Sequence, residues 1–233
     1  MPKKIKRFLP LLLILLIMAT LYFSGVYRYF SFESLKAYHL DLQRFLLEHP
    51  ILVPILYIFI YIAATALSIP GAIFLTLLGG YLFPQPLCTI YVVFSATCGA
   101  TLIFLIARTA LGDPLRKKAG PFLKKMRGGF EKNAASYMLF LRFVPLFPFW
   151  LVNIAPAFFG VPLRTFIWTT FVGIAPASFV FTLAGGGLEK IFASDQPFSI
   201  QTIFNTQMKI ALTLLGVLSL IPILIKKWRR SDA

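Results

Sequence analysis

The fold of this chain is decided by two interrupted apolar segments, IPGAIFLTLLGGYLFP (residues 69–84) and LRFVPLFPFWLVNIAP (residues 141–156). Each is apolar enough to enter a membrane, yet proline and glycine break it where a continuous helix needs its backbone N–H groups. The segments stand in corresponding places of two half-chains, and an unbroken apolar span follows each one. Paired interruptions of this kind are typical of membrane proteins whose site lies near the bilayer midplane.

Composition predicts an all-α polytopic membrane protein. Hydrophobic residues make up 58% and charged residues 13% of the chain, whereas a soluble domain carries about 25% charged residues. The formal net charge of +15 does not point to nucleic acid, because most basic residues can share one membrane face. They are Lys3, Lys4, Lys6, Arg7, Arg108, Arg116, Lys117, Lys118, Lys124, Lys125, Arg127, Lys132, Arg164, Lys226, Lys227, Arg229 and Arg230. The positive-inside rule then places both termini and the basic loop 108–133 in the cytoplasm.

Charge parity predicts the path of the chain through the membrane. An odd number of crossings must separate the outer helix 31–50 from the cytoplasmic loop 108–133. The span 87–107 supplies one crossing, so the block 51–83 has to enter the membrane and return to the outer side. The same reasoning folds the block 134–160 back to the cytoplasm. The predicted fold is an inverted repeat of two re-entrant helical hairpins, each followed by a transmembrane helix, with further transmembrane helices at both termini.

The predicted organisation has four parts. They are a retained N-terminal anchor (1–30), an outer interfacial amphipathic helix (31–50), a membrane domain (51–190) and a C-terminal span with a basic tail (191–233). The membrane domain holds the hairpins 51–83 and 134–160, the spans 87–107 and 165–184, and the loop 108–133. That loop can also rest on anionic lipid headgroups through Arg108, Arg116, Lys117, Lys118, Lys124 and Lys125.

Few polar groups lie near the two breaks. Arg142 is the only basic residue deep inside an apolar block. It can hold an anionic headgroup or phosphate, or it can reach the cytoplasmic interface or bind carbonyls freed by the other hairpin. Asn153 can contact a headgroup or repair the break after Pro148. The candidate substrate pathway comprises Arg142, Asn153, Pro145, Pro148, Pro70, Gly71 and Gly80.

Other features limit the possible chemistry. Thr65, Ser68 and Thr76 are expected to donate to backbone carbonyls one turn back. No acidic residue occurs between Glu48 and Asp113, which argues against a carboxylate proton relay in the first hairpin. The sequence contains no nucleophile–base pair, phosphate-binding loop or metal-ligand spacing, so no enzyme, cofactor or metal site is predicted.

The two segments resemble the membrane proteins that share the VTT domain. The resemblance rests on Ile69-Pro70-Gly71, Leu78-Gly79-Gly80, the stretch from Leu141 to Phe149 and Gly173-Ile174-Ala175-Pro176. This superfamily includes the bacterial DedA proteins and the SNARE-associated Golgi proteins. Because the chain lacks the acidic residues that DedA proper has in its first hairpin, it looks closer to the Golgi-type branch. The resemblance implies paired re-entrant hairpins and lipid movement between leaflets, with Arg142, Pro145, Pro148 and Asn153 at the site.

The leading hypothesis is a flippase or scramblase for phospholipid or polyprenyl-phosphate lipid. A transporter of small soluble anions and a non-transporting membrane scaffold are the alternatives. Membrane lipids, particularly those with anionic headgroups, are the expected partners, and association of the chain with itself is left open. The expected location is the inner membrane of a bacterium, with both termini in the cytoplasm.

Overall fold

All regular secondary structure in the described part of the chain is helical. The computed structural model describes residues 32–69, 72–118, 130, 134–143 and 148–188, together with positions 16, 20, 25, 206, 207, 210, 214 and 221. The helices of the continuous ranges are α1 (Phe32–Glu48), α2 (Leu52–Ala66), α3 (Ala72–Leu82), α4 (Leu87–Lys118), α5 (Ala134–Phe143), α6 (Phe149–Phe158) and α7 (Leu163–Gly186). The predicted spans near the two termini fall outside these ranges.

In the described part of the chain, two helices are long and apolar enough to cross a membrane. These stretches are Leu87–Thr109 of α4 and Leu163–Gly186 of α7, and they correspond to the predicted spans 87–107 and 165–184. Helix α4 continues to Lys118, so the predicted loop 108–133 is wrong in its first part, which is helical. A third crossing is possible if α1 and α2, which meet at a bend of 119°, form one broken span.

Both apolar segments break where proline and glycine predict. Helix α2 ends at Ala66, and Ser68 adopts a positive φ of 52° before α3 begins at Ala72. In the second half, α5 ends at Phe143 and α6 begins directly after Pro148. Proline suits a helix start, since its missing N–H has no helical partner there.

Helices α2 and α3 are held together by buried tyrosines. The Tyr57 hydroxyl donates to the Leu75 carbonyl at 2.8 Å, and the Tyr61 hydroxyl lies 3.0 Å from Thr76 Oγ1. The Tyr57 and Phe83 rings also meet edge to face, with their centroids 5.2 Å apart. Because an unpaired polar group costs several kcal/mol in hydrocarbon, these bonds let the two short helices lie against each other there.

The two halves of the chain pack into each other in a reciprocal way. Helix α3 of the first half packs on α7 of the second, and α6 of the second half packs on α4 of the first. Helices α4 and α7 also contact each other directly, and α2 packs along α4. Buried side chains of α4, α5, α6 and α7 share one apolar cluster, which contains Phe104, Met138, Ala155 and Phe166. Each half therefore completes the packing of the other.

Glycines allow the closest of these contacts, between α3 and α7. A Cβ placed on Gly80 would collide with the Thr182 backbone, and one placed on Gly185 would collide with the Leu77 carbonyl and Gly80 Cα. Small residues at a crossing let two helix backbones approach closely, which is a common basis of helix association in membranes. Gly185 directly follows the predicted span 165–184, whereas the structure places it inside the crossing.

We expect Gly185→Ala to separate α3 from α7. Crowding of a packed interior costs about 1–3 kcal/mol, so denaturant titration in detergent micelles should show a loss of that size. The matched control is Gly186→Ala, because the nearest atom to its added Cβ would be the Gly80 oxygen at 3.5 Å, an ordinary contact. Equal effects of the two substitutions would contradict the close crossing.

Candidate functional site

Arg142 lies in the last turn of α5, where the second apolar segment breaks. Its side chain is 9% exposed, although arginine is almost never buried without a partner. It packs on α7 at Gly173, since a Cβ placed on that glycine would lie 2.6 Å from Arg142 Cβ. The glycine thus provides the space in which the arginine stem passes α7.

The guanidinium group of Arg142 is only partly paired. Its Nη2 donates to Thr170 Oγ1 at 2.9 Å, and Cζ lies 5.6 Å from the centroid of the Phe166 ring. Its Nε has no hydrogen-bond partner among the described residues. No aspartate or glutamate occurs from residue 132 to 188. The buried cation is therefore held by a hydroxyl and a ring face, without a carboxylate from its own half of the membrane domain.

Asn153 is the second unpaired group. It lies in α6, is 0% exposed, and neither its Oδ1 nor its Nδ2 has a partner among the described residues. A bond that repairs the break after Pro148 was expected as an alternative, and the Asn153 side chain makes none to the residues that the structure describes. A buried amide without partners is unfavourable by roughly 1–3 kcal/mol, so it is suited to bind a polar group that enters the protein.

The remaining residues of the candidate pathway are not all brought together. Pro148 is exposed and immediately precedes α6, whereas Pro70, Gly71 and Pro145 lie outside the described residues. Gly80 lies at the α3–α7 crossing, and its place in a pathway stays a prediction.

The predicted lipid-headgroup surface is described only in part. Arg108 is exposed on α4. Arg116, Lys117 and Lys118 end that helix, with only their backbone described, and Lys124 and Lys125 fall outside the described residues. The contact of these groups with lipid stays a prediction.

Of three hydroxyl groups near the first break, one bonds as predicted and two do not. Thr76 Oγ1 donates to the Ala72 carbonyl at 2.7 Å, as predicted. The same expectation is wrong for Thr65 and Ser68, because their hydroxyl oxygens are buried without a partner in the described part of the chain. Ser95 Oγ of α4 shares this state.

Sequence reasoning missed a polar group at the other end of α7. The Gln85 amide nitrogen donates to Thr182 Oγ1, and the Thr89 hydroxyl donates to Gln85 Oε1 at 2.7 Å. Thr170, the partner of Arg142, was missed as well. The sequence does show that these polar residues lie within apolar stretches. Which of them contact each other is determined by the packing of α4, α5 and α7.

Thr170→Val should destabilise the protein by leaving Nη2 of Arg142 without its partner. A buried donor that loses its acceptor costs about 1–3 kcal/mol, measurable by denaturant titration in detergent micelles. Thr169→Val is the matched control, because the buried Thr169 hydroxyl only donates to carbonyls of its own helix, at 2.6 Å to Thr165 and 3.2 Å to Phe166. A larger loss in the control than in Thr170→Val would contradict a role for the Arg142–Thr170 bond.

Comparisons with known proteins cover the region that contains the candidate site. The VTT-domain family model matches residues 69–186, a range that contains both breaks and both long apolar helices. No solved structure matches the chain.

Several animal membrane proteins are similar to the chain over most of its length. The transmembrane protein 41 homolog of Caenorhabditis elegans is 36% identical over 178 residues, which cover 75% of this chain and 70% of the worm protein. Human transmembrane protein 41B is 34% identical over 171 residues, 72% of this chain and 56% of the human protein. The predicted family is thereby confirmed: the chain is a multi-pass membrane protein of the VTT-domain family.

Proposed function

We propose that this protein moves phospholipid or polyprenyl-phosphate lipid between the two leaflets of a membrane. The observation that carries the proposal is the pair of buried, incompletely bonded polar groups, Arg142 and Asn153. In this mechanism the headgroup passes between the hairpin tips while the acyl or prenyl tails stay in the surrounding lipid.

A lipid phosphate would supply what Arg142 lacks. Guanidinium groups bind phosphate through paired, charge-assisted hydrogen bonds. Nη2 of Arg142 is already bonded to Thr170, while Nε remains available. An uncompensated buried charge is strongly unfavourable. A passing phosphate would therefore be stabilised by this site more than a neutral headgroup would be.

Asn153 would contact the rest of the headgroup. Its side chain offers two donors and one acceptor oxygen, all buried and unpartnered among the described residues. Such a group can bond hydroxyl, amine or phosphate oxygen without discriminating strongly between them. Asn153 thus supports passage of polar headgroups in general, whereas Arg142 favours those with a phosphate.

We further propose that the pairs α2–α3 and α5–α6 are re-entrant hairpins that enter from opposite faces. Charge parity supports this path, and so do the short lengths of these four helices beside the two long ones. The half-helix ends at both breaks would then bring backbone partial charges towards one region near the midplane. In an inverted repeat the two pairs also contact the long helices reciprocally, as α3 does α7 and α6 does α4.

Membership of the VTT-domain family supports lipid movement, since that activity is what the resemblance implies. The matched relatives carry names that state only a transmembrane protein, and the chain spans 56% of the human one. The bacterial inner membrane, the cytoplasmic termini, the anionic-lipid contact and self-association stay predictions.

Labelling from one side of the membrane tests the hairpin topology. In a cysteine-free background we expect His49→Cys and Pro84→Cys to react from the same, outer side, because the chain between them enters and returns. Ala134→Cys and Pro162→Cys should both react from the opposite side. Reaction of His49→Cys and Pro84→Cys from different sides would mean that the first block crosses fully, which contradicts the proposal.

Lipid movement is tested with purified protein in liposomes that contain a headgroup-labelled fluorescent phospholipid. Dithionite bleaches only label that reaches the outer leaflet. Arg142→Ala should slow bleaching by about tenfold or more, since loss of a buried charge partner costs roughly 2–5 kcal/mol. Arg164→Ala is the matched control, because it removes an exposed arginine.

The same liposomes separate the rival functions. Equal protection of the label with wild type and with Arg142→Ala would contradict the proposal. Uptake of a soluble anion without lipid movement would identify a small-anion transporter. A scaffold is tested in cells instead. It would be identified if removing the charges of the basic loop 108–133 abolished the cellular function while Arg142→Ala did not.

A further inference from the structure

The two pairs of short helices, α2–α3 and α5–α6, have the same layout along the chain. Helices α2 and α5 end at Ala66 and Phe143, which are 77 residues apart. Helices α3 and α6 begin at Ala72 and Phe149, which are again 77 residues apart. Each residue of the first pair therefore has a counterpart 77 places later in the second pair.

One packing contact supports this correspondence. Thr65 and Arg142 are counterparts, and each packs on a glycine of the long helix that follows in its own half. A Cβ placed on Gly99 of α4 would lie 2.6 Å from Thr65 Cβ, just as one on Gly173 of α7 would lie 2.6 Å from Arg142 Cβ. The two pairs therefore correspond in packing as well as in sequence position.

In the first pair, a tyrosine of α2 bonds the polar residue of α3. Thr76 is the fifth residue of α3 and is buried, and its hydroxyl donates to the Ala72 carbonyl at 2.7 Å. Because the only hydroxyl hydrogen of Thr76 is used in that bond, the Tyr61 hydroxyl donates to Thr76 Oγ1, at 3.0 Å. The polar place on α3 is thus closed by a side chain of the protein itself.

The second pair has a polar residue at the same place but no tyrosine. Asn153 is the fifth residue of α6 and the counterpart of Thr76, and Met138 of α5 is the counterpart of Tyr61. Met138 is 0% exposed and belongs to the same buried apolar cluster as Val152 and Ala155 of α6. A thioether has no hydrogen to donate. Asn153 accordingly lacks the hydroxyl partner that Thr76 has.

We propose that Met138 keeps the Asn153 amide free for the moving headgroup. A polar group of that headgroup takes the place that the Tyr61 hydroxyl has in the first pair. This inference rests on the proposed lipid movement and confines headgroup binding to the second pair, while the first pair is a closed support. Met138 is a positioning residue, since it does not itself bind the headgroup.

The place of Met138 is tested by comparing Met138→Tyr with Met138→Phe. The two variants bring the same ring and the same crowding, and they differ by one hydroxyl. In denaturant titrations in detergent micelles, the equilibrium constant for unfolding should be about tenfold smaller for Met138→Tyr, because the buried amide gains a bond. In an Asn153→Leu background that difference should disappear or reverse, since the hydroxyl then has no amide to bond.

The role in lipid movement is tested with the same variants in liposomes. With the fluorescent phospholipid described above, bleaching by dithionite should be about tenfold slower for Met138→Tyr than for Met138→Phe, because the headgroup has to displace a buried hydrogen bond. Tyr61→Phe is the control in the first pair. It removes the hydroxyl that bonds Thr76 and should leave the bleaching rate unchanged.

Three results would overturn the inference. Equal unfolding of Met138→Tyr and Met138→Phe would mean that position 138 does not face Asn153. A difference in unfolding without a difference in bleaching would mean that the headgroup does not use Asn153. Slowing by Tyr61→Phe as strong as that by Met138→Tyr would mean that the first pair also binds the headgroup. Because unfolding involves no lipid, it distinguishes these failures from a wild type that moves no lipid, which would contradict the proposed function.

Discussion

The structure depends on one constraint, that backbone groups freed by a broken helix must be satisfied inside the protein. In hydrocarbon each unsatisfied group costs several kcal/mol. The helices beside the first break are accordingly bonded and packed closely. Tyrosine hydroxyls of α2 bond to α3, and the glycines of α7 let α3 approach its backbone. The same need explains why each half packs its second short helix on the long helix of the other half.

The reciprocal packing places equivalent residues of the two halves in similar surroundings, although their side chains differ in charge. Arg142 and Thr65 each lie in the last turn of a short helix and each pass a glycine of a long one. One position carries a full positive charge, whereas the other carries only hydroxyl groups. Together with Asn153, these positions account for most of the unpaired buried polar atoms in the described part of the chain.

Much of the fold could be predicted from the sequence because bilayer physics constrains it strongly. Composition predicted helices, hydropathy predicted the long spans, and proline and glycine predicted the breaks near residues 70 and 148. The end of α4 was predicted less well. A run of basic residues from Arg108 to Lys118 indicates the cytoplasm, but charge alone does not distinguish a helix that leaves the membrane from a loop.

The sequence by itself determined that this is a helical membrane protein with two interrupted segments, one buried arginine and no acidic residue beside it. Only the tertiary structure decided which groups those residues meet. Thr170 reaches Arg142, while Thr65 and Asn153 remain without partners among the described residues. The physical reason is that helix periodicity fixes the face on which a side chain lies, whereas helix crossings fix what lies opposite it. Those crossings join residues far apart in sequence, at glycines whose neighbours the local pattern does not identify.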